Sequence, residues 1–274
     1  MKLRLDLFFK ELLLFGLTLA IGIFSAYRTA NFATTLAIPE VRFGWGDAVF
    51  IAAVALFLIF SSRFKKVARF SFKLFLVLVV FSGAGSVFGS FVHTPWDLYA
   101  TILVIMAFLF IRNVLIHNLG IILGVAGIGS VLGLALTPKT VVIAMVALSF
   151  YDIIAIYVTK HMVKMAKAMM ESGATFGFII PSRLAGFFAH RVQATAQVGD
   201  QFMVLGSGDI GLPVVLASSV ARYSVQAAIV VGIFSTLGLL ATHLIFVNQK
   251  ERKPMAALPP IATMSIIGYL ITLI

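Results

Sequence analysis

The sequence predicts an all-α polytopic membrane protein with nine transmembrane helices, the N-terminus cytoplasmic and the C-terminus outside. Three observations carry this reading. The first is composition: 61% of the 274 residues are hydrophobic and 11% are charged, with a mean hydropathy of +1.09. Soluble domains carry about 25% charged residues and must turn much of their surface to water. The second is that apolar runs long enough to cross a bilayer, about 17–25 residues, recur nine times along the chain. The third is that the basic residues lie between those runs, as the topology of a membrane protein requires.

The runs fall at about 7–27, 43–62, 70–92, 97–114, 118–136, 140–159, 201–221, 224–247 and 256–274. The first lacks a small-residue cleavage site behind it and is read as a retained span, not a removed signal. Trp45 at the start of the second span and Trp96 at the start of the fourth mark interfacial positions on one side of the membrane. Spans seven and eight are joined so closely around Arg222 that they must form a tight antiparallel hairpin. Lys2, Arg4, Lys10, Arg63, Lys65, Lys66, Arg69, Lys73, Arg112, Lys160, Lys164, Lys167, Arg183, Arg191, Lys250, Arg252 and Lys253 fall on the side of the N-terminus; Arg28, Arg42, Lys139 and Arg222 fall on the other. This split of 17 against 4 makes the first side cytoplasmic. It also accounts for the net charge of +11 without nucleic acid as a partner. The absence of cysteine removes disulfides, thiolate metal sites and a cysteine nucleophile.

Residues 161–200 interrupt the pattern. They are longer than an ordinary helix connection, and "ATFGFIIPSRLAGFF" mixes apolar and basic residues. This segment reads either as lying on the membrane surface or as a flexible linker. The chain thus divides into a six-helix part (1–160), a cytoplasmic connecting loop (161–200) and a three-helix part (201–274).

Ten acidic residues remain to be placed. Asp6, Glu11, Glu40, Asp47, Asp97, Glu171, Asp200 and Glu251 lie in loops or at span ends, whereas Asp152 and Asp209 lie well inside spans six and seven. Each charged carboxylate at mid-membrane costs roughly 2.5–3.5 kcal/mol, so intramembrane acids are candidates for function. Asp152 lies eight residues before Lys160, and Asp209 eight residues after Gln201. At 1.5 Å of helical rise per residue, both sit about 12 Å below one membrane face. Two carboxyl groups at one level in a poorly polar medium cannot both ionise cheaply and come to share a proton. One can then deprotonate a water while the other polarises an amide carbonyl. The same pair would equally suit a proton or cation pathway, and a single Asp would suit a hydrogen bond between helices.

The neighbouring residues point further. Tyr151–Asp152 gives "YD" in span six, "GSGD" at Gly206, Ser207, Gly208 and Asp209 matches GxGD in span seven, and "ALP" at Ala257, Leu258 and Pro259 opens span nine. In this order and membrane placement the motifs resemble the presenilin and signal peptide peptidase family of intramembrane aspartyl proteases, and the chain is similar to prokaryotic presenilin homologues. The resemblance implies that Asp152 and Asp209 are catalytic, that substrates are transmembrane helices of single-span proteins, that no metal or organic cofactor takes part, and that the protein resides in a prokaryotic plasma membrane. The cytoplasmic N-terminus favours the presenilin-like branch, because signal peptide peptidases are inverted. The third motif departs from the family's PAL, Ala256 standing where the first proline is usual. Prepilin peptidases share a GxGD aspartate but have fewer spans.

Gly206 and Gly208 let backbone approach or unwind near Asp209, or serve close packing. Pro259 and Pro260 oppose regular helix, so an extended substrate can pair with irregular backbone at Ala257–Pro259 as an added strand. Tyr151 is a candidate hydrogen-bond support for the carboxylate or a packing residue. Glycine pairs Gly85/Gly89, Gly120/Gly124 and Gly129/Gly133 carry the spacing of close helix contacts. His243 is read as hydrogen-bonded locally, with no second ligand at metal-binding spacing. The lipid bilayer is an obligatory partner; a homo-oligomer is compatible with the sequence, which names no accessory subunit.

Overall fold

The computed structural model describes residues 4–32, 65–196, 201–249 and 254–274. Helices α1 (Leu5–Phe32), α2 (Lys65–Phe91), α3 (Trp96–Phe110), α4 (Val114–Ala135) and α5 (Pro138–Ile153) come first, α5 running on into a π-turn at Ile154–Val158. Next come α6 (His161–Ser172), β1 (Gly177–Pro181), a 3-10 turn (Leu184–Phe188), α7 (Arg191–Ala196) and β2 (Phe202–Gly206). The chain closes with α8 (Ser207–Ala221), α9 (Val225–Val247) and α10 (Leu258–Ile271). The second expected span, 43–62 with Trp45, lies outside the described residues. Among the described residues, five helices are long and apolar enough to cross a membrane, and α3, α8 and α10 are shorter apolar helices.

Local sequence explains where these helices begin. The Asn113 side chain accepts from the Ile116 amide at 2.9 Å and caps α4. Thr137 caps α5, with Pro138 at the first helical position, where its missing N–H costs nothing. Ser224 caps α9, so only residues 222–224 separate α8 from α9, and the two form the tight hairpin that the sequence predicts. Helix α6 ends at Gly173, whose φ of 75° is the left-handed conformation that closes a helix C-terminus.

The core centres on α4, which packs against α1, α2, α3 and α8. Glycines allow this. A Cβ on Gly83 or Gly127 would overlap the facing backbone of α4 or α2, and one on Gly133 would come within 2.7 Å of the Val215 carbonyl oxygen in α8. Gly85 and Gly89, expected at the contact, have nothing closer than 3.8 and 3.9 Å; Gly83, on another face of the same helix, takes that role. Gly120, Gly124, Gly129 and Gly133 do face neighbouring helices closely.

Two expectations need correction. The chain is not purely helical, because β1 and β2 pair antiparallel, with Gly177 opposite Gly206 and Pro181 opposite Phe202. Nor are residues 161–196 a plain linker: they form α6, β1, the 3-10 turn and α7, with Phe178, Ile179 and Ile180 fully buried. The side chain of Asn118 in α4 holds the second edge of β1, donating to the Ile179 carbonyl at 2.8 Å and accepting from its amide at 2.9 Å. His117 meets the Gly177 carbonyl at 3.1 Å. Such groups satisfy backbone that could not otherwise be buried.

Candidate active site

Asp152 lies in the last turn of α5, immediately before the π-turn, and is 5% exposed. Both of its carboxyl oxygens are buried without a hydrogen-bond partner among the described residues. The backbone N–H of Leu258, at the start of α10, is the polar group that acts on it. Buried oxygens of this kind are uncommon in folded proteins and mark strain or function. A π-turn beside them is a frequent accompaniment of functional sites.

Asp209 lies in the first turn of α8, where the unpaired amides and the helix dipole favour negative charge. It is half-buried. The amide of Gly206, the last residue of β2, faces its carboxylate, and a Cβ on Gly206 would stand 3.1 Å from Asp209 Oδ2. Gly206 therefore keeps the space beside the carboxylate open. Gly208 is exposed, and a Cβ there would touch nothing within 4 Å, so close packing is not its role in this conformation. Residues 202–206 are strand, not the start of a helical span. A strand rises about 3.3 Å per residue against 1.5 Å for helix, so the helical arithmetic that set Asp209 level with Asp152 does not apply.

Packing brings the two acids together instead. Helices α5, α8 and α10 all contact one another, and the Asp152 and Asp209 carboxyls act electrostatically on each other. The third motif closes the group. Ala256, Ala257 and Leu258 are buried and Pro259 half-buried, with 254–257 irregular and α10 starting at Leu258. The expectation that Pro259 and Pro260 exclude helix is thus wrong: both lie in the first turn, where a proline needs no amide partner. Thr242 of α9 reaches the Ala257 carbonyl at 3.4 Å. Gly238 lets α9 approach within 2.7 Å of Ile261 Cα by the same Cβ measure, and the Ser235 and Ser265 hydroxyls pair at 2.7 Å. Tyr151 is not buried with the group; it is 59% exposed, whereas Asp152 is 5% exposed.

Sequence reasoning missed a third buried acid. Glu11, 1% exposed within α1, meets His243 of α9, its Oε2 lying 3.0 Å from Nδ1. The partner of His243 is thus 232 positions away, not local. Sequence reasoning also missed His117 and Asn118, whose one signal was two polar residues together at the start of an apolar span. Among the described residues no group of three His, Asp or Glu side chains converges as a metal site would require.

The signal-peptide peptidase, presenilin aspartyl protease family model matches residues 41–274. No curated protein matches the chain. Among solved structures, one described as a presenilin family intramembrane aspartate protease in a C222 space group is similar, with a TM-score of 0.59, 20% identity and 94% coverage of each chain. A structure with the same description in a P2 space group gives a TM-score of 0.60 and 21% identity, covering 94% of this chain and 95% of that one. The likeness extends over the whole fold. By the family match over most of its length, the chain belongs to the signal-peptide peptidase and presenilin family of aspartyl proteases.

Proposed function

We propose that Asp152 and Asp209 are the acid/base pair with which this protein hydrolyses peptide bonds inside the transmembrane helices of single-span proteins. The observation that carries this reading is the buried Asp152 carboxyl, with no hydrogen-bond partner among the described residues, held against Leu258 and within electrostatic reach of Asp209. One carboxylate takes a proton from water as the water oxygen attacks the scissile carbonyl carbon. The other, protonated, gives its proton to the carbonyl oxygen, and the resulting diol collapses as the C–N bond breaks and the amine leaves protonated. Membership of a protease family supports this chemistry over a cation or proton pathway through the same acids.

A helical substrate must be locally extended before its peptide bond is exposed. Two stretches of backbone suit an extended chain: irregular residues 254–257, and the edge of β2 facing away from β1, which has no backbone partner among the described residues. Strand β2 runs directly into Gly206 and Asp209, so a segment added to it by strand pairing is delivered to the carboxylates. Gly206 and Gly208 leave room for it, and Ala257, Leu258 and Pro259 frame the opposite side.

The topology belongs to the same proposal: nine spans in a six-helix part (1–160), the segment 161–200 and a three-helix part (201–274), with the N-terminus cytoplasmic and the protein in a prokaryotic plasma membrane. Reconstitution with a panel of single-span substrates, followed by mass spectrometry of the products, tests the reading. Asp152→Asn and Asp209→Asn must each stop cleavage while the protein stays folded; cleavage persisting in either variant removes that residue from the mechanism.

A further inference from the structure

A cationic site lies apart from the carboxylates, where the end of α3 meets the segment before α7. The chain pairs there across two stretches: Asn113 forms a β-bridge with His190, Val114 donates to the Ala189 carbonyl at 3.1 Å, and Arg191 donates to the Arg112 carbonyl at 2.9 Å. The bridge sets two arginines side by side. The Arg191 guanidinium is further fixed over the Phe108 ring, 5.2 Å from its centroid. Among the described residues neither arginine has a carboxylate partner, the Glu11–His243 pair being the ion pair found. Burial, and then the neighbouring Arg112 charge, lower the Arg191 pKa from its ordinary value. Two like charges brought together by the fold, with no acid between them among the described residues, form a site for an anion.

The surroundings specify what kind of anion. Leu184, Phe188 and Val192 lie outside the long apolar helices, yet are 71%, 73% and 50% exposed. Phe110, at the end of α3, is 74% exposed. A soluble anion has no use for a collar of bare apolar side chains, which marks instead a surface that meets membrane. An amphiphile with a negative head and hydrocarbon tails satisfies both halves at once. We propose that Arg112 and Arg191 bind the phosphate of an anionic phospholipid, whose acyl chains lie against Phe110, Leu184 and Phe188. The site does not depend on the proteolytic chemistry proposed above.

The test is native mass spectrometry of the full-length protein from mixed micelles containing equal amounts of phosphatidylglycerol and phosphatidylcholine. The wild-type protein retains phosphatidylglycerol preferentially. Arg112→Gln, an exposed position that leaves the core intact, lowers that retention about fivefold, as does Arg191→Gln, in keeping with the contribution of one basic residue at an anionic surface. Phe188→Ala weakens retention of both lipids, and Lys139→Gln, an exposed charge elsewhere, changes neither. Equal retention of the two lipids by the wild type, unchanged phosphatidylglycerol binding in Arg112→Gln, an equal loss in Lys139→Gln, or displacement of the lipid by inorganic phosphate would each overturn the proposal. The last of these would make it a site for soluble anions.

Discussion

Asp152 and Glu11 are both carboxyl groups buried within apolar helices, 5% and 1% exposed, and they are treated differently by the fold. Glu11 is met by His243 at 3.0 Å and joins α1 to α9, whereas neither oxygen of Asp152 has a hydrogen-bond partner among the described residues. A partnered acid recovers part of its desolvation cost and serves packing, even though Glu11 Oε1 has no partner among the described residues. An acid whose nearest polar neighbour is the Leu258 backbone N–H, outside hydrogen-bond geometry, keeps its lone pairs available and must be held in place by the packing around it. Burial alone does not identify a reactive group in a membrane protein; what sets Asp152 apart is that both of its carboxyl oxygens lack a hydrogen-bond partner among the described residues, against one of Glu11. Here the acid without a partner is also the one beside a second acid, a π-turn and an irregular segment.

Substitutions at the two acids should therefore have opposite signatures. The largest effect on chemistry is expected at the unpaired group. Asp152→Asn or Asp209→Asn lowers the cleavage rate of a reconstituted single-span substrate by about 10²–10⁴-fold, with the thermal midpoint in detergent unchanged or higher. Loss of folding with Asp152→Asn would mean that its carboxyl is structural after all. The largest effect on stability falls at the paired group. Glu11→Ala leaves His243 buried without its partner and destabilises by about 3–5 kcal/mol, read from denaturant unfolding. The double replacement Glu11→Leu with His243→Leu restores most of that loss, and both variants keep their activity per folded molecule.

Two smaller effects sharpen the picture around Asp209. Asn118→Leu strips β1 of its second edge and leaves the Ile179 amide and carbonyl buried without partners, costing about 1–3 kcal/mol; hydrogen exchange at Ile179 speeds up before that of α4. The least effect belongs to Gly208→Ala, where the new methyl meets no neighbour, so stability moves by less than about 0.5 kcal/mol. Any loss of cleavage in that variant therefore reports on space for substrate, not on folding.

The helices were largely legible before the structure, because hydropathy and length are enough to find α1, α2, α4, α5 and α9. Asp152 and Asp209 were legible for a chemical reason, since a carboxylate inside an apolar run has no cheap structural explanation. The strands were hidden: "GFIIP" and "FMVLG" are short unbroken apolar runs whose periodicity cannot separate strand from helix. Strand β2 lay at the head of an apolar stretch long enough to count as a whole span. Glu11 was hidden because its position near a span end looked solvated, and its partner stands 232 residues away. The Asn118 contacts depend on where β1 falls, which no local pattern near position 118 encodes.

Helix α8 has 15 residues and α10 has 14, which reach about 22 and 21 Å across a hydrocarbon layer of about 30 Å. A lipid leaflet bordering two such stubby rods must pinch inward or admit moisture at the end where they stop short. The first turns of the two helices carry Asp209 and Leu258. The catalysis proposed for Asp152 and Asp209 requires the shortfall to lie at those turns, where bulk solvent then reaches the acids without a tunnel through the bundle.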